Sequence, residues 1–439
     1  MKKKLALVLV FVIVLALSAC GGGGTTPANN TGNQNASAES AGNAPDDGAG
    51  GNISGNLLVW FSDNDNLNQA IGEAFTAKYP NVAIEFGTWD LEASEKMALA
   101  GPAGTGADVF RIAHNAVINS FQDGTSEPFP ADLKAKYQDV MVDTVLSAGI
   151  IENTLYGAPI MMENIAFIYN KDLVDTPPET FEEIFEFAKT YNNPSANQYA
   201  MRWQVTSSYF NHLFLTAFGY QIFGPNGDDY RQFGIDSPNV AQALEFFQSL
   251  RDVFPVNAHD ANDVDAAEGA FARGEVPFCI TGWWQFPTFK EAGVNFGVTK
   301  FPTINGVQPR CYSGSHVLAV SSYSQNKDAA FAFVDFCVSE EGATIMYNLS
   351  SSLPALKDPS GIPGLSDDEH MMGVIEQAPY ADPVPSIPEI NFTWDTLKNL
   401  YTYVWDGSMT IEDAQTKTME DYEIQLNAIG KSMNDPANE

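Results

Sequence analysis

Residues 55–86 read GNLLVWFSDNDNLNQAIGEAFTAKYPNVAIEF and decide the fold, because they combine two apolar runs with one amphipathic segment. GNLLVWF and NVAIEF are short apolar runs typical of buried strands. Between them, Leu67, Ile71 and Phe75 recur at helical spacing until Pro80 ends the pattern. A strand, a helix and a second strand in this order predict a βαβ unit. The sheet is therefore expected to be parallel, with helices on its faces, and the fold class to be α/β.

The segments that follow extend the same alternation. ADVFRIA, residues 107–113, predicts a third strand. Helical patterns at about residues 238–253 and 326–347 follow further apolar runs. No tandem repeat is visible, and a chain of 439 residues is long enough for two domains with separate cores.

The N-terminus predicts export and lipidation. MKKK is followed by an uncharged apolar run over residues 5–17, which is too short to span a bilayer comfortably. Leu17-Ser18-Ala19-Cys20 resembles the bacterial lipobox, in which the cysteine is lipidated and becomes the new N-terminus. We therefore expect a signal peptide over residues 1–19 and a membrane anchor at Cys20. An ordinary signal peptide that ends near a cysteine is the alternative.

The segment after Cys20 is predicted to be a tether. Residues 21–51 are rich in Gly, Asn, Ala and Thr and contain no aromatic side chain. Such a segment cannot bury enough apolar surface to fold, so residues 20–55 are expected to be a disordered link between membrane and globular body.

Composition excludes several kinds of partner and site. The formal net charge is −33, which argues against nucleic acid as a ligand. No phosphate-binding loop, HExxH, GxSxG or strand-placed GxGxxG motif is present, and no two of the five histidines have metal-ligand spacing. We expect no cofactor, no metal and no catalytic residues.

Three cysteines remain after Cys20. Cys337 lies in the helical pattern AAFAFVDFCVS and is expected in the core. Cys279 and Cys311 fall on predicted strands of one region, so a disulfide between them is one option and two free thiols the other.

An ordered series of motifs resembles one family. LLVWFSDND, ADVFRIAHN, YGAPIMMENIAFIYNKDLV with PPETFEEI, AAEGAFARGEVPFCITGWWQF, GVTKFPTINGV and NKDAAFAFVDFCVSEEGA occur in this order along the chain. The series is similar to that of the maltose-binding-protein-like group of extracellular solute-binding proteins, which are sugar receptors of ABC importers. The likeness covers nearly all of the chain from about residue 56 onward.

The resemblance implies a two-lobed periplasmic-binding-protein-like α/β fold with a hinge and a ligand cleft between the lobes. Chain crossings near Met162, His316 and Gly364 would give a first lobe of residues 56–162 plus 317–364. The second lobe would hold residues 163–316 plus 365–439. The receptor would be a monomer at the extracellular face of the bacterial cytoplasmic membrane. Ligand binding would close the lobes, and the closed form would deliver the sugar, expected to be an oligosaccharide, to the permease subunits.

The resemblance also implies aromatic platforms for the apolar faces of sugar rings. Trp284 matches a stacking position, and Trp283 would turn inward, since neighbours in a strand point to opposite faces. Tyr209 and Trp394 match two further stacking positions. Trp89, in the loop after the second strand, is a weaker candidate that could equally be a packing residue.

Polar residues at the rim of the cleft are implied in the same way. Asn64 and Asp65 follow the first strand, where α/β sheets bind ligands, although Asp65 could instead cap the next helix. Asn115, Glu163 and Lys398 complete the rim. The chain departs from the maltodextrin receptors by carrying Asn115 and Ala116 where they have an acid and an arginine, and by Ser207 in place of an acid. These departures put maltodextrin specificity in doubt.

Two other functions remain open at this point. A receptor of the same fold for a polyamine or a metal ion would suit the acidic composition, although Tyr401 and Tyr403 make a poor iron cluster. A secreted glycoside hydrolase would need two carboxylates at a fixed separation, and the sequence singles out no such pair.

Overall fold

The computed structural model of the protein describes residues 53–436. The predicted signal peptide, the lipidation site Cys20 and most of the predicted tether lie outside the described residues. The tether was expected to reach residue 55, and this boundary is wrong. Gly55 already pairs with Val82 in the sheet, and Ile53 packs against the core.

The strands of the described chain follow the predicted order at the start and continue in a mixed sheet. They are β1 (Gly55–Trp60), β2 (Val82–Gly87), β3 (Val109–Ala113), β4 (Ile150–Ile151), β5 (Thr154–Leu155), β6 (Ala158–Asn170), β7 (Met201–Arg202), β8 (Phe278–Gly282), β9 (Phe296–Thr299), β10 (Cys311–Val320) and β11 (Ala381–Pro383). The predicted βαβ unit is confirmed to within one or two residues at each boundary.

The helices pack on both faces of this sheet. They are α1 (Asp65–Lys78), α2 (Ala93–Ala100), α3 (Val117–Gln122), α4 (Ala131–Val140), α5 (Asp143–Ser147), α6 (Phe181–Tyr191), α7 (Ser208–Thr216), α8 (Pro238–Ser249), α9 (Ala258–Ala261), α10 (Val264–Ala272), α11 (Phe286–Glu291), α12 (Lys327–Cys337), α13 (Glu340–Ser350), α14 (Glu369–Gln377), α15 (Asn391–Asp406) and α16 (Ile411–Ala428). No helix within residues 53–436 is long and apolar enough to cross a membrane.

The main sheet has nine strands in the order β2-β1-β3-β10-β6-β8-β7, with β11 on β10 and β9 on β6. β1 runs parallel to β2 and β3, as predicted. The expectation of a parallel sheet fails beyond that point, because β10 pairs antiparallel with both β3 and β6. The α/β class is confirmed, with a mixed rather than a parallel sheet.

Two large hydrophobic clusters fill the space between sheet and helices, and a smaller third one lies around α2 and β3. One packs α1, α12 and α13 against β1, and the other packs α6, α7, α8, α15 and α16 together. Strand β6 contributes to both, because alternate residues point to opposite faces: Ile165 and Phe167 to one cluster, Ala166 and Ile168 to the other.

Two further predictions concern the helix over residues 326–347 and the state of the cysteines. The helix expected over residues 326–347 is two helices, because Ser339 accepts a hydrogen bond from the Gly342 N–H and caps α13. Cys279, Cys311 and Cys337 are all buried and free, so the optional disulfide is absent and the core position of Cys337 is confirmed.

Candidate functional site

A cavity of about 650 Å³ opens at the carboxyl ends of β1 and β2. Its volume lies within the range of about 300–1,000 Å³ common for small-molecule sites. It is lined by Ser62, Asp63, Asn64, Leu67, Trp89, Asp90, Leu91, Arg111, Met161, Glu163, Trp283, Trp284, Pro287, His316, Leu349, Ser350 and Ser352. Four of the predicted ligand-binding residues, Asn64, Trp89, Glu163 and Trp284, are therefore brought together.

The sheet explains why these residues meet. Parallel strands β1 and β2 end side by side at Trp60 and Gly87, so the loops that follow them lie at the same edge. β3 pairs with β1 at Trp60 and Phe110, which sets Arg111 level with Phe61. Residues far apart in sequence are thus held close by rigid strands.

Glu163 and His316 form the polar centre of one wall. Glu163 lies opposite Gly314 on neighbouring β10, and His316 Nε2 lies 3.2 Å from Glu163 Oε1. Burial by itself would raise the pKa of Glu163, but His316 and the charge of Arg111 together lower it below its usual value. Burial lowers the pKa of His316, and Arg111 lowers it further. Glu163 is therefore a carboxylate near neutral pH that accepts the Nε2–H of a neutral imidazole.

Trp89 and Arg111 form a second wall of the cavity, next to His316. The Arg111 guanidinium carbon lies 4.2 Å from the centre of the Trp89 ring, a cation–π contact. The Trp89 Nε1–H donates to the Arg111 carbonyl at 2.8 Å. The ring also meets His316 edge-on, with centroids 5.7 Å apart. Burial lowers the pKa of Arg111 to about 10, so it stays cationic at neutral pH.

Trp283 and Trp284 follow β8 in a short 3₁₀ helix, Trp283–Gln285, so the assumption that both lie in a strand is wrong. Trp283 is 4% exposed, and its Nε1–H donates to the Met162 carbonyl at 3.1 Å. Trp284 is half-buried, lies against Gly282 and stacks on Phe210 with centroids 6.5 Å apart. Trp283 is thus turned inward, as expected, while both residues contribute to the lining.

Two predicted platforms lie beside the cavity rather than in its lining. The Tyr209 hydroxyl donates to the Glu163 carbonyl at 3.4 Å, and its ring stacks on Tyr312 with centroids 5.8 Å apart. Tyr312 in turn meets Trp394 edge-on at 6.0 Å. A chain of ring contacts therefore leads from the Glu163 backbone to Trp394.

Of the other polar residues predicted at the rim, only Asn64 lies in the cavity lining. Asn64, not Asp65, caps α1, and its side-chain oxygen accepts from the Asn66 and Leu67 N–H groups at 3.1 and 3.2 Å. The alternative role of Asp65 as the cap is therefore wrong. Asp65 and Lys398 are exposed and outside the cavity lining. Asn115 is also outside it, and its amide donates to Asn391 Oδ1 at 3.4 Å.

Four titratable residues of the cavity lining were missed as candidates: Asp63, Asp90, Arg111 and His316. A signal was available for Arg111, because a charged residue inside the apolar strand ADVFRIA needs an explanation. His316 carried a comparable signal in the apolar strand that became β10. Among the described side chains of residues 53–263 and 267–436, no group of three His, Cys, Asp or Glu could hold a metal ion.

The sequence of the chain is similar to those of known binding proteins. The family of bacterial extracellular solute-binding proteins matches residues 70–373. The maltotriose-binding protein of Pyrococcus abyssi is 29% identical over 354 residues, 78% of this chain and 75% of the relative. The maltooligosaccharide ABC transporter solute-binding lipoprotein of Streptococcus pneumoniae is 27% identical over 346 residues, 77% of this chain and 80% of the relative.

A solved structure confirms the two-lobed fold. The cyclo/maltodextrin-binding protein complexed with maltotetraose superposes with a TM-score of 0.75 at 27% identity, covering 86% of this chain and 98% of that chain. These relatives are binding proteins rather than enzymes, in agreement with the prediction that the chain is not an enzyme. The chain belongs to the family of bacterial extracellular solute-binding proteins.

Proposed function

We propose that the chain is a sugar receptor that binds an oligosaccharide in the 650 Å³ cavity and delivers it to the permease of an ABC importer. The names of the relatives support this proposal, since they bind maltotriose and maltooligosaccharides. The departures at Asn115, Ala116 and Ser207 keep us from narrowing the ligand to a maltodextrin.

The observation that carries the proposal is the presence of tryptophan rings and acidic side chains in the lining of one cavity. Trp89 and Trp284 supply flat apolar surface, and Glu163 and Asp63 supply hydrogen-bond acceptors. A sugar ring presents apolar C–H faces and hydroxyl edges, so it fits both kinds of surface. Hydrogen bonds from hydroxyls to a carboxylate are charge-assisted and stronger than those to neutral acceptors.

The proposed lobes are residues 56–162 plus 317–364 and residues 163–316 plus 365–439. Strands β6 and β10 would form the hinge, because β6 pairs with β10 in its first half and with β8 and β9 in its second. On these boundaries Trp89 and Arg111 belong to one lobe, and Glu163 and Trp284 to the other. A ligand that touched both walls would stabilise the closed arrangement.

Intrinsic fluorescence and thermal melting of the purified protein test the proposal. The panel contains mono- and oligosaccharides of glucose and galactose, spermidine and ferric citrate. We expect one class of oligosaccharide to give a saturable fluorescence shift and to raise the melting temperature. Trp284→Ala should weaken binding by at least about 10-fold. Trp60→Phe, which lies outside the cavity lining, should leave binding unchanged.

The same panel decides between the sugar and a cation. A response to spermidine or ferric citrate alone would replace the oligosaccharide by a cationic ligand, which the acidic residues Asp63, Asp90 and Glu163 could favour. Release of smaller sugars during incubation would point to a hydrolase. Either result would overturn the proposal.

We further propose that Cys20 is lipidated and holds the receptor at the extracellular face of the membrane. One relative is named a lipoprotein, which supports the anchor. In cells of a bacterium that lipidates such cysteines, Cys20→Ser should move the protein from the membrane fraction to the medium. Sugar affinity should stay unchanged. Retention of Cys20→Ser in the membrane fraction would contradict the anchor.

A further inference from the structure

Arg111 is a half-buried cation whose hydrogen-bond donors are largely unused. Its Nη1 lies 3.5 Å from the Phe61 carbonyl and its Nη2 3.8 Å from the Met161 sulfur, both weak contacts. Its Nε–H is buried and has no hydrogen-bond partner among the described residues. A guanidinium carries five N–H donors, and leaving buried donors unpaired is costly.

Two carboxyl side chains, those of Glu163 and Asp63, lie near Arg111. The negative charges of Glu163 and Asp63 act on the guanidinium, and both side chains share the cavity with it. Among the side chains that the structure describes, residues 53–263 and 267–436, no ion pair joins Arg111 to a carboxylate at 4.0 Å or less. Glu163 instead pairs with His316. Arginines commonly pair with carboxylates through direct hydrogen bonds, so the donors of Arg111 stay available to a ligand in this cavity.

A hydroxyl group fits this space chemically. One hydroxyl can accept a hydrogen bond from the guanidinium and donate its own proton to a carboxylate. Two neighbouring hydroxyls on one ring could bridge Arg111 to Glu163 and to Asp63. A ligand carboxylate would meet those two acids and be repelled.

We propose that Arg111 is a specificity-determining residue that recognises neighbouring hydroxyls of a neutral sugar ring through bridges to Glu163 and Asp63. This inference rests on the proposed function and deepens it. Arg111 also lies against the Trp89 ring at 4.2 Å, and its carbonyl fixes the Trp89 Nε1–H. Arg111, which would bind the hydroxyls, therefore also fixes the position of the Trp89 ring in the same wall.

The test is isothermal titration calorimetry with the sugar that binds best and with its monodeoxy derivatives. Wild-type protein should lose about 10- to 100-fold in affinity for one or two of the derivatives. Arg111→Met, which keeps an unbranched apolar stem but none of the donors, should lose at least about 10-fold for the parent sugar. The Arg111→Met variant should lose little further affinity for those same derivatives, because the guanidinium that binds the deleted hydroxyl is already absent.

Two variants serve as controls. Lys96→Met removes a cation that pairs with Asp90 at the cavity but leaves Arg111 intact, so the wild-type pattern of deoxy losses should persist. Arg111→Lys keeps the charge but not the planar fork, so its losses should lie between those of wild type and Arg111→Met. Thermal melting establishes that each variant is folded before it is titrated. If Arg111→Met does not fold, the affinities for the sugar and its derivatives are compared between wild type and Arg111→Lys.

The outcomes separate this inference from the proposed function. Equal deoxy losses in wild type and Arg111→Met would overturn the role of Arg111 while leaving the receptor intact. Tighter wild-type binding of a uronate derivative than of the neutral sugar would also overturn it, because Arg111 would then be an anion site. Absence of binding by every sugar would overturn the proposed function itself, and the inference with it.

Discussion

Three buried histidines share one property at the scale of the residue. Burial lowers the pKa of His114, His212 and His316 below the usual value. His114 Nδ1 accepts the Ser315 N–H at 3.1 Å, which fits a neutral ring. His212 stacks on Tyr312 with centroids 3.6 Å apart. All three are therefore expected to stay neutral in the folded protein while the unfolded chain can take up protons.

The free energy of unfolding should therefore fall as the pH drops below about 6.5. Below that value the unfolded state binds more protons than the folded state, so the histidine contribution is intact above it and lost beneath it. The slope should reach up to about 1.4 kcal/mol per pH unit for each histidine. Urea unfolding between pH 7.5 and 5.5 measures it, and His212→Gln should reduce the slope. Exposed His259→Gln is the control. Identical slopes in His212→Gln and wild type would contradict this assignment.

Asn64 combines a capping role with a place in the cavity, and substitution separates the two. Asn64→Ala should lose about 1 kcal/mol of stability, because the cap of α1 disappears. Asn64→Asp keeps the acceptor for the Asn66 and Leu67 N–H groups and should stay close to wild-type stability. Both variants lack the amide donor, so both should bind the sugar more weakly, as calorimetry would measure. Wild-type affinity in Asn64→Asp would restrict the residue to capping.

Residue chemistry explains which site residues the sequence could predict. Trp284 and Glu163 were chosen because they lie in the two most specific motifs of the family resemblance, and both line the cavity. Asp65 and Lys398 were chosen by alignment with the family pattern, but they point to solvent on α1 and α15. The charge of Arg111 inside an apolar strand was a signal that it has a role, but its neighbours Trp89 and Glu163 could not be read from the sequence, because only the folded sheet brings them together.

At the scale of the element, the end of β8 fixes the position of Trp284. An ideal Cβ on Gly282 would lie 2.0 Å from the Trp284 ring, so the indole packs directly on this glycine. Gly282 has φ −108°, which an alanine can adopt. The need for glycine is therefore one of space and not of backbone conformation.

Gly282→Ala should displace the Trp284 ring and weaken sugar binding by at least about 10-fold, as removal of the ring would. Gly269→Ala on α10 is the matched control, since its Cβ would meet only the tip of Arg273 at 3.3 Å. That variant should bind normally and should be up to about 1 kcal/mol more stable. Calorimetry and thermal melting measure both effects. Normal affinity in Gly282→Ala would show that the position of Trp284 does not matter.

Elements that depend on local pattern were predicted best. β1, α1 and β2 follow from apolar spacing within residues 55–86, and the structure reproduces them. The antiparallel insertion of β10 between β3 and β6 could not be read this way, because it pairs segments about 150–200 residues apart. The break between α12 and α13 was readable in principle, since Ser339 followed by two glutamates is a helix-start signal.

At the scale of the whole molecule, the proposed hinge through β6 and β10 predicts a motion that labels can follow. Leu99 and Ile424 are 80% and 63% exposed and belong to different proposed lobes. Burial raises the pKa values of the native thiols Cys279, Cys311 and Cys337, so they should resist labelling in the folded protein. Fluorophores on Leu99→Cys and Ile424→Cys, in a Cys20→Ser background, should therefore report the distance between the lobes.

Saturating sugar should change the energy transfer between Leu99→Cys and Ile424→Cys, because the ligand stabilises the arrangement in which both walls touch it. The control pair is Leu99→Cys with Val140→Cys, two exposed positions of the same proposed lobe, and its transfer should stay constant. Arg111→Met should need more sugar for the same change but reach the same end point, since the hinge is intact. A change in both pairs would mean that the lobe boundaries are wrong. No change in either pair, with sugar demonstrably bound, would mean that this receptor binds its ligand without closing.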